Sequence, residues 1–164
     1  MDNGKILVSE DNGTYILKFI GDVRLTLCAT LDEFLLSMSN DENLTAVFID
    51  LSETQGIDST SLGLLAKISV FCRKKFQLIP TIISTSPDIT RILQSMGFER
   101  VFIILEQAQT PVETLHELPL ITQSEEVVKT KVIEAHKILM DMNEKNKETF
   151  KELVYTLEGE KPSD

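Results

Sequence analysis

The sequence predicts an α/β protein: a βα sandwich with a mixed central sheet, helices mostly on one face, and a long C-terminal helix. Three patterns predict it. Lys5–Glu10 and Thr14–Phe19 flank Asp11-Asn12-Gly13 and read as an antiparallel hairpin, because Asn-Gly supplies the positive φ of a tight turn. Short apolar runs then alternate with amphipathic helical patterns as far as Leu105, which implies parallel strands joined by right-handed crossovers. From Thr122 a helical stripe runs on with no strand after it.

Each element follows in order. Gly21-Asp22 punctuates the exit from the hairpin. Leu27, Leu31, Phe34, Leu35 and Met38 place a helix over Leu25–Met38, with Thr26 or Thr30 as its cap. Ala46–Asp50 is a continuous apolar, β-branched and aromatic run, the mark of a buried strand. Ser52, Thr54 and Gly56 suit neither regular state, so Leu51–Asp58 reads as a loop. Leu62, Leu65, Ile68 and Cys72 then recur at helical spacing behind Asp58, Ser59 and Thr60, all good N-cap types. Arg73-Lys74-Lys75 gives that helix a cationic C-terminus, which complements the dipole. Gln77–Ile83 is the next strand, with Pro80 marking an edge or a bulge.

Ser86 caps, and Pro87 opens, a helix whose apolar face is Ile89, Ile92, Leu93 and Met96; Gly97 stops it. Val101–Leu105 is a last, fully apolar strand, and Pro111 and Pro119 bracket a small helix, Val112–Leu118. In the tail, Ser124 caps a helix striped by Val128, Val132, Ala135, Leu139 and Met142. Asn143–Lys147 interrupts the stripe, and Phe150, Leu153 and Leu157 resume it. It is too short for a coiled coil. It packs on the domain or on a second copy, as a homodimer, or it serves as a partner-binding helix. The expected division is a domain at 1–118, a helical extension at 119–160 and a disordered tail at 161–164.

The chemistry concentrates where strand, loop and helix meet at Ser59. A helix N-terminus carries unpaired N–H groups and a positive dipole end, so a phosphate on that hydroxyl would be well held. It would add nearly two negative charges beside Asp58. A partner docked there would then bury an uncompensated charge at a cost of several kcal/mol, against the roughly 8 kcal/mol that holds a micromolar complex. The bland reading is an N-cap worth about 1 kcal/mol. Gly63, in the first turns of the helix, argues for more, because glycine there is a poor helix former and marks close approach of another backbone. Thr60 is the rival hydroxyl and Ser61 a weaker one.

Asp50-Leu51 and Ile57-Asp58-Ser59-Thr60-Ser61-Leu62-Gly63 closely resemble the signature of the anti-sigma factor antagonist family, whose domain is called STAS. Ser61 stands where Gly or Ala is commoner. The resemblance covers about Lys5 to Leu118. It implies a STAS-type fold, Ser59 as phosphoacceptor, a cognate GHKL-type serine kinase, a PP2C-type phosphatase, and an anti-sigma factor or similar regulator as partner. It places the docking surface on the helix from Ser59, including Asp58, Thr60, Ser61, Leu62, Gly63 and Leu64, with Gly21, Asp22 and Arg24 beside it and a further loop near Ser84. Arg24 occupies a position where the family commonly has Asp; it pairs with Asp58 or a Ser59 phosphate, or faces solvent. The tail resembles, more loosely, extended STAS proteins of proteobacterial biofilm, motility and stress circuits.

Charge narrows the partners. The 164 residues carry 26 acidic and 16 basic side chains, a net charge of −10, which lacks the basic footprint that nucleic acid or an anionic membrane requires. Met1-Asp-Asn-Gly has neither the charged nor the apolar region of a secretory signal, and no apolar run reaches membrane-spanning length, so a cytoplasmic protein is expected. Cys28 and Cys72 lie among apolar residues and read as buried thiols rather than a disulfide. His116 and His136 have no neighbours at metal-ligand spacing, and there is no phosphate loop, nucleophile elbow or cofactor motif. No catalytic residue, metal or cofactor is therefore expected. A phosphorylation-gated binding module fits these features best; the alternative is a constitutive STAS scaffold in a transporter or signalling complex.

Overall fold

The computed structural model describes residues 4–107 and 114–159. Strand β1 (Lys5–Asp11) turns through Asn12 and Gly13, at φ 51° and 86°, into β2 (Thr14–Val23). After a 3₁₀ turn at Leu25–Leu27 come α1 (Cys28–Ser39), β3 (Ala46–Ile57), α2 (Ser59–Phe76), β4 (Thr81–Ile83), α3 (Pro87–Ser95), β5 (Ile103–Leu105) and β6 (His116–Glu117). Helices α4 (Glu125–Met142) and α5 (Glu144–Glu158) complete the chain. The sheet order is β5-β4-β3-β2-β1-β6. Pairs β2–β3, β3–β4 and β4–β5 are parallel, while β1 is antiparallel to both β2 and β6, so the sheet is mixed.

Strand periodicity sets the layers. Tyr15, Leu17, Phe19 and Val23 of β2 are buried, whereas Thr14, Lys18, Ile20 and Asp22 are half-buried. In β3, Val47, Ile49 and Leu51 repeat the pattern and join one core with Leu31 and Leu35 of α1, Leu65 and Ile68 of α2, and Leu93 of α3.

Several elements differ from expectation. The stretch Leu51–Ile57 is strand, not loop: β3 stays paired with β2 out to Val23↔Ile57. The ladder absorbs its irregular residues through register shifts, and the Thr54 hydroxyl donates to the Phe19 carbonyl at 2.8 Å. Helix α1 begins at Cys28, and neither Thr26 nor Thr30 caps it; Thr30 instead donates to the Pro119 carbonyl and accepts from Ile121 N–H. Gln77 is the left-handed cap of α2, so 77–80 is helix exit and the strand is only Thr81–Ile83. Pro80 lies just outside that interior strand, its carbonyl accepting from Ile103 N–H. The run at Val101 yields strand only from Ile103, and it is not the last: His116–Glu117 pairs with β1, so residues 114–118 are not helical. Residues 112–113 of that expected helix, and the expected tail at 161–164, lie outside the described residues.

The C-terminal helix is two helices. Asn143 is extended (φ −166°), ends α4, and caps α5 by accepting from Asn146 N–H at 2.8 Å. The inward face of α5 is Asn146, Phe150 and Val154, while Leu153 is exposed. The hairpin packs on this chain's own domain, chiefly along α2.

Candidate functional site

β3 ends at Ile57 and α2 begins two residues later, so Asp58 is the corner of the site. Its carboxylate caps two elements: Oδ1 accepts from Ser61 N–H at 2.9 Å and Oδ2 from Leu25 N–H at 2.7 Å. The first bond satisfies the start of α2; the second anchors the 3₁₀ turn before α1. Asp58 N–H in turn donates to the Val23 carbonyl at 3.0 Å. Beside it, Gly21 lies within β2, paired with Thr54, not in a loop, and its φ of 81° is left-handed. Asp22 pairs in register with Gly56, where a side chain would come within 2.8 Å of the Asp22 carboxylate. Arg24 is 61% exposed at its side chain and bonds Asp22 at 2.8 Å rather than Asp58.

Burial separates the hydroxyls. Ser59 is half-buried, while Thr60 is 4% and Ser61 2% exposed. Leu62, Gly63 and Leu64 are also buried. Of the residues expected at the docking surface, Asp22, Arg24, Asp58 and Ser59 therefore reach solvent, and Gly21 with Thr60 through Leu64 supports them from inside.

His136, which no sequence spacing ties to Ser59, completes the site. Its Nε2 lies 2.8 Å from Ser59 Oγ, although 77 positions separate the two in the chain. Its Nδ1 lies 2.7 Å from the Val132 carbonyl, which only accepts, so Nδ1 carries a hydrogen. In the neutral ring Nε2 then accepts from the Ser59 hydroxyl. The ring is 1% exposed and meets Phe150 edge-on at 5.0 Å. A serine–histidine pair of this length is nucleophile geometry, but here the ring is oriented by a helix carbonyl rather than by a carboxylate. The available signal was modest: His136 follows Ala135 on the stripe and sits one turn after Val132.

Among the described residues no cluster of His, Cys, Asp or Glu has the makings of a metal site, and no helix is long and apolar enough to cross a membrane. Cys28 and Cys72 are buried free thiols.

The family model of the STAS domain matches residues 5–117. The chain belongs to the STAS domain family. No curated protein matches its sequence. Among solved structures, it is similar to the anti-sigma factor antagonist SpoIIAA in its unphosphorylated form, at 10% identity and a TM-score of 0.53 over 64% of this chain and 90% of that one. It is also similar to an anti-sigma factor antagonist from Mycobacterium paratuberculosis, at 19% identity and a TM-score of 0.54 over 64% and 87% of the respective chains. At these identities the likeness speaks for the fold. The family match ends at Glu117, so in this STAS protein the α4–α5 hairpin and His136 lie beyond the matched domain.

Proposed function

We propose that this STAS protein is a binding switch of the anti-sigma factor antagonist kind, which holds a regulator when Ser59 is bare and releases it when Ser59 is phosphorylated. The observation that carries the reading is the position of Ser59: first residue of α2, behind the Asp58 cap, half-exposed where Thr60 and Ser61 are buried. The matched signature and the likeness to anti-sigma factor antagonists support the class of partner. A GHKL-type serine kinase and a PP2C-type phosphatase are the enzymes such a switch requires. The modified side chain would be a dianion at the rim of the docking face; burying it unpaired costs several kcal/mol, a large part of a micromolar binding energy.

A second reading is a constitutive STAS scaffold. The Ser59–His136 hydrogen bond favours it, because a hydroxyl held by a buried ring also serves as a fixed structural bond. Intact-mass and peptide mapping of the protein isolated from its native cells separates the two. The switch predicts a phosphorylated fraction mapping to Ser59 and lost in Ser59→Ala, and capture of the regulator by the bare form alone. Permanently bare Ser59, or equal capture by both forms, favours the scaffold.

A further inference from the structure

Ser59, Gly63 and Lys67 recur at i, i+4 and i+8, so they share one stripe of α2. Helix α4 lies along this stripe and meets each position. Ser59 meets His136. At Gly63 a Cβ would stand 2.3 Å from the Ala135 carbonyl oxygen, so only glycine permits the approach. Lys67 bridges Glu134 and Asp32, and Asp32 also receives Lys131. As α2 advances from 59 to 67, its partners on α4 step backwards from His136 through Ala135 to Glu134.

The elbow is held separately. Asn143 and Asn146 each donate a side-chain N–H to the Met96 carbonyl, at 3.3 and 3.0 Å, and Lys145 reaches the Ser95 carbonyl. The stripe contact itself is made by serine, glycine, alanine, histidine and ion pairs. The hairpin also lends Leu139 and Phe150 to the core cluster, so lifting it exposes their apolar surface, less than opening the sheet would, and such an appended unit opens before the sheet does.

We propose that the α4–α5 hairpin is an intramolecular occupant of the docking face, and that the seated hairpin and a phosphate on Ser59 exclude one another. The inference rests on the reading of Ser59 as the modified hydroxyl and adds how access to it is governed. In the seated state the hydroxyl hydrogen is committed to Nε2 at 2.8 Å, and phosphorylation replaces that hydrogen. A phosphorylated serine therefore loses the bond it donates to His136, and its bulky dianion is set against the packed His136–Phe150 pair. By linkage, whatever keeps the hairpin seated slows modification of Ser59 and competes with the partner. The occupant also shows what a partner segment must offer: a small residue opposite Gly63, a hydrogen-bond acceptor opposite Ser59 and a carboxylate opposite Lys67.

Full-length Ser59→Cys protein tests the cover without any kinase. The rate at which the introduced thiol reacts with DTNB is measured in the single variant, with Gly63→Ala added, which pushes on the Ala135 carbonyl, and with Lys131→Glu added, which removes the tie to Asp32. The native thiols report unfolding: Cys28 and Cys72 are buried, and burial raises Cys28 and pushes Cys72 up to about 12, so both stay slow while the core is intact. A seated hairpin predicts that the introduced thiol labels at least about tenfold faster in both double variants, with Cys28 and Cys72 still unreactive. In a second measurement, phosphoserine is encoded at position 59 of the otherwise native chain and amide exchange is followed. Exchange in α4 and α5 should accelerate by at least about tenfold while β1–β3 are unchanged. Equal labelling rates at position 59 in all three proteins, or hairpin protection indifferent to the phosphate, overturns the proposal. Shielding and phosphate-driven release in a protein that cells never phosphorylate would support the cover and sink the modification reading, so the two fail separately.

Discussion

Asp58 shows how much one side chain does in this protein. Its two oxygens cap α2 and anchor the turn before α1, so the residue joins elements that are 33 positions apart. Asp58→Ala removes both bonds and should cost about 2 kcal/mol, since one cap is worth roughly 1. Asp58→Asn keeps a single acceptor oxygen and should recover about half; urea midpoints of the three proteins check the order. If alanine and asparagine lose equally, the second bond is not worth a cap. The α2 cap was legible in the sequence, because an acidic residue before a hydroxyl and a helical stripe is a local signal. The bond to Leu25 was not, because it needs two distant segments in contact.

At the scale of elements, α4–α5 depends on its elbow. Asn146 is 1% exposed, and its amide donates to the carbonyls of Met96 and Leu139, both at 3.0 Å. Asn146→Ala leaves those acceptors with less to bond and should cost about 2 kcal/mol. Its mark should be local: amide exchange in α5 and the end of α4 rises while β2 and β3 keep their protection. Loosening spread evenly over the chain would show that the hairpin is not a separate unit. The sequence placed the interruption near Asn143 but could not show that helix resumes at once at Glu144. Its apolar pattern put Leu153 on the inward stripe, but the packing buries Val154 and leaves Leu153 exposed.

Across the whole molecule, Asp32 ties α1 to both α2 and α4. Burial alone pushes its carboxyl up, but the hydrogen bonds and charges of Lys131 and Lys67 outweigh this and hold it below its ordinary value. A carboxyl depressed in the folded state contributes stability above its unfolded pKa, near 3.9, and loses it as pH falls through the lower folded value. The protein should therefore lose stability on acidification below about pH 4, and Asp32→Asn should lose less over the same interval. Urea midpoints of both proteins at neutral and acid pH test this; parallel losses would show that the Asp32 cluster carries no pH-dependent stability. The cluster was invisible in the sequence because Asp32, Lys67 and Lys131 occupy three helices that only the fold assembles.

What the sequence determined by itself is what short-range forces decide: the Asn12-Gly13 turn, the Asp58 cap, the Pro87 start and Gly97 stop, and the alternation of strand and helix. Each follows from the φ/ψ preferences and near-neighbour hydrogen bonds of adjacent residues. Only the tertiary structure decided that β3 runs on to Ile57, and that His136, 77 residues along the chain, closes over Ser59. Those outcomes depend on which surface lies opposite, and a backbone or a hydroxyl takes its partner from whatever the packed chain brings within about 3 Å.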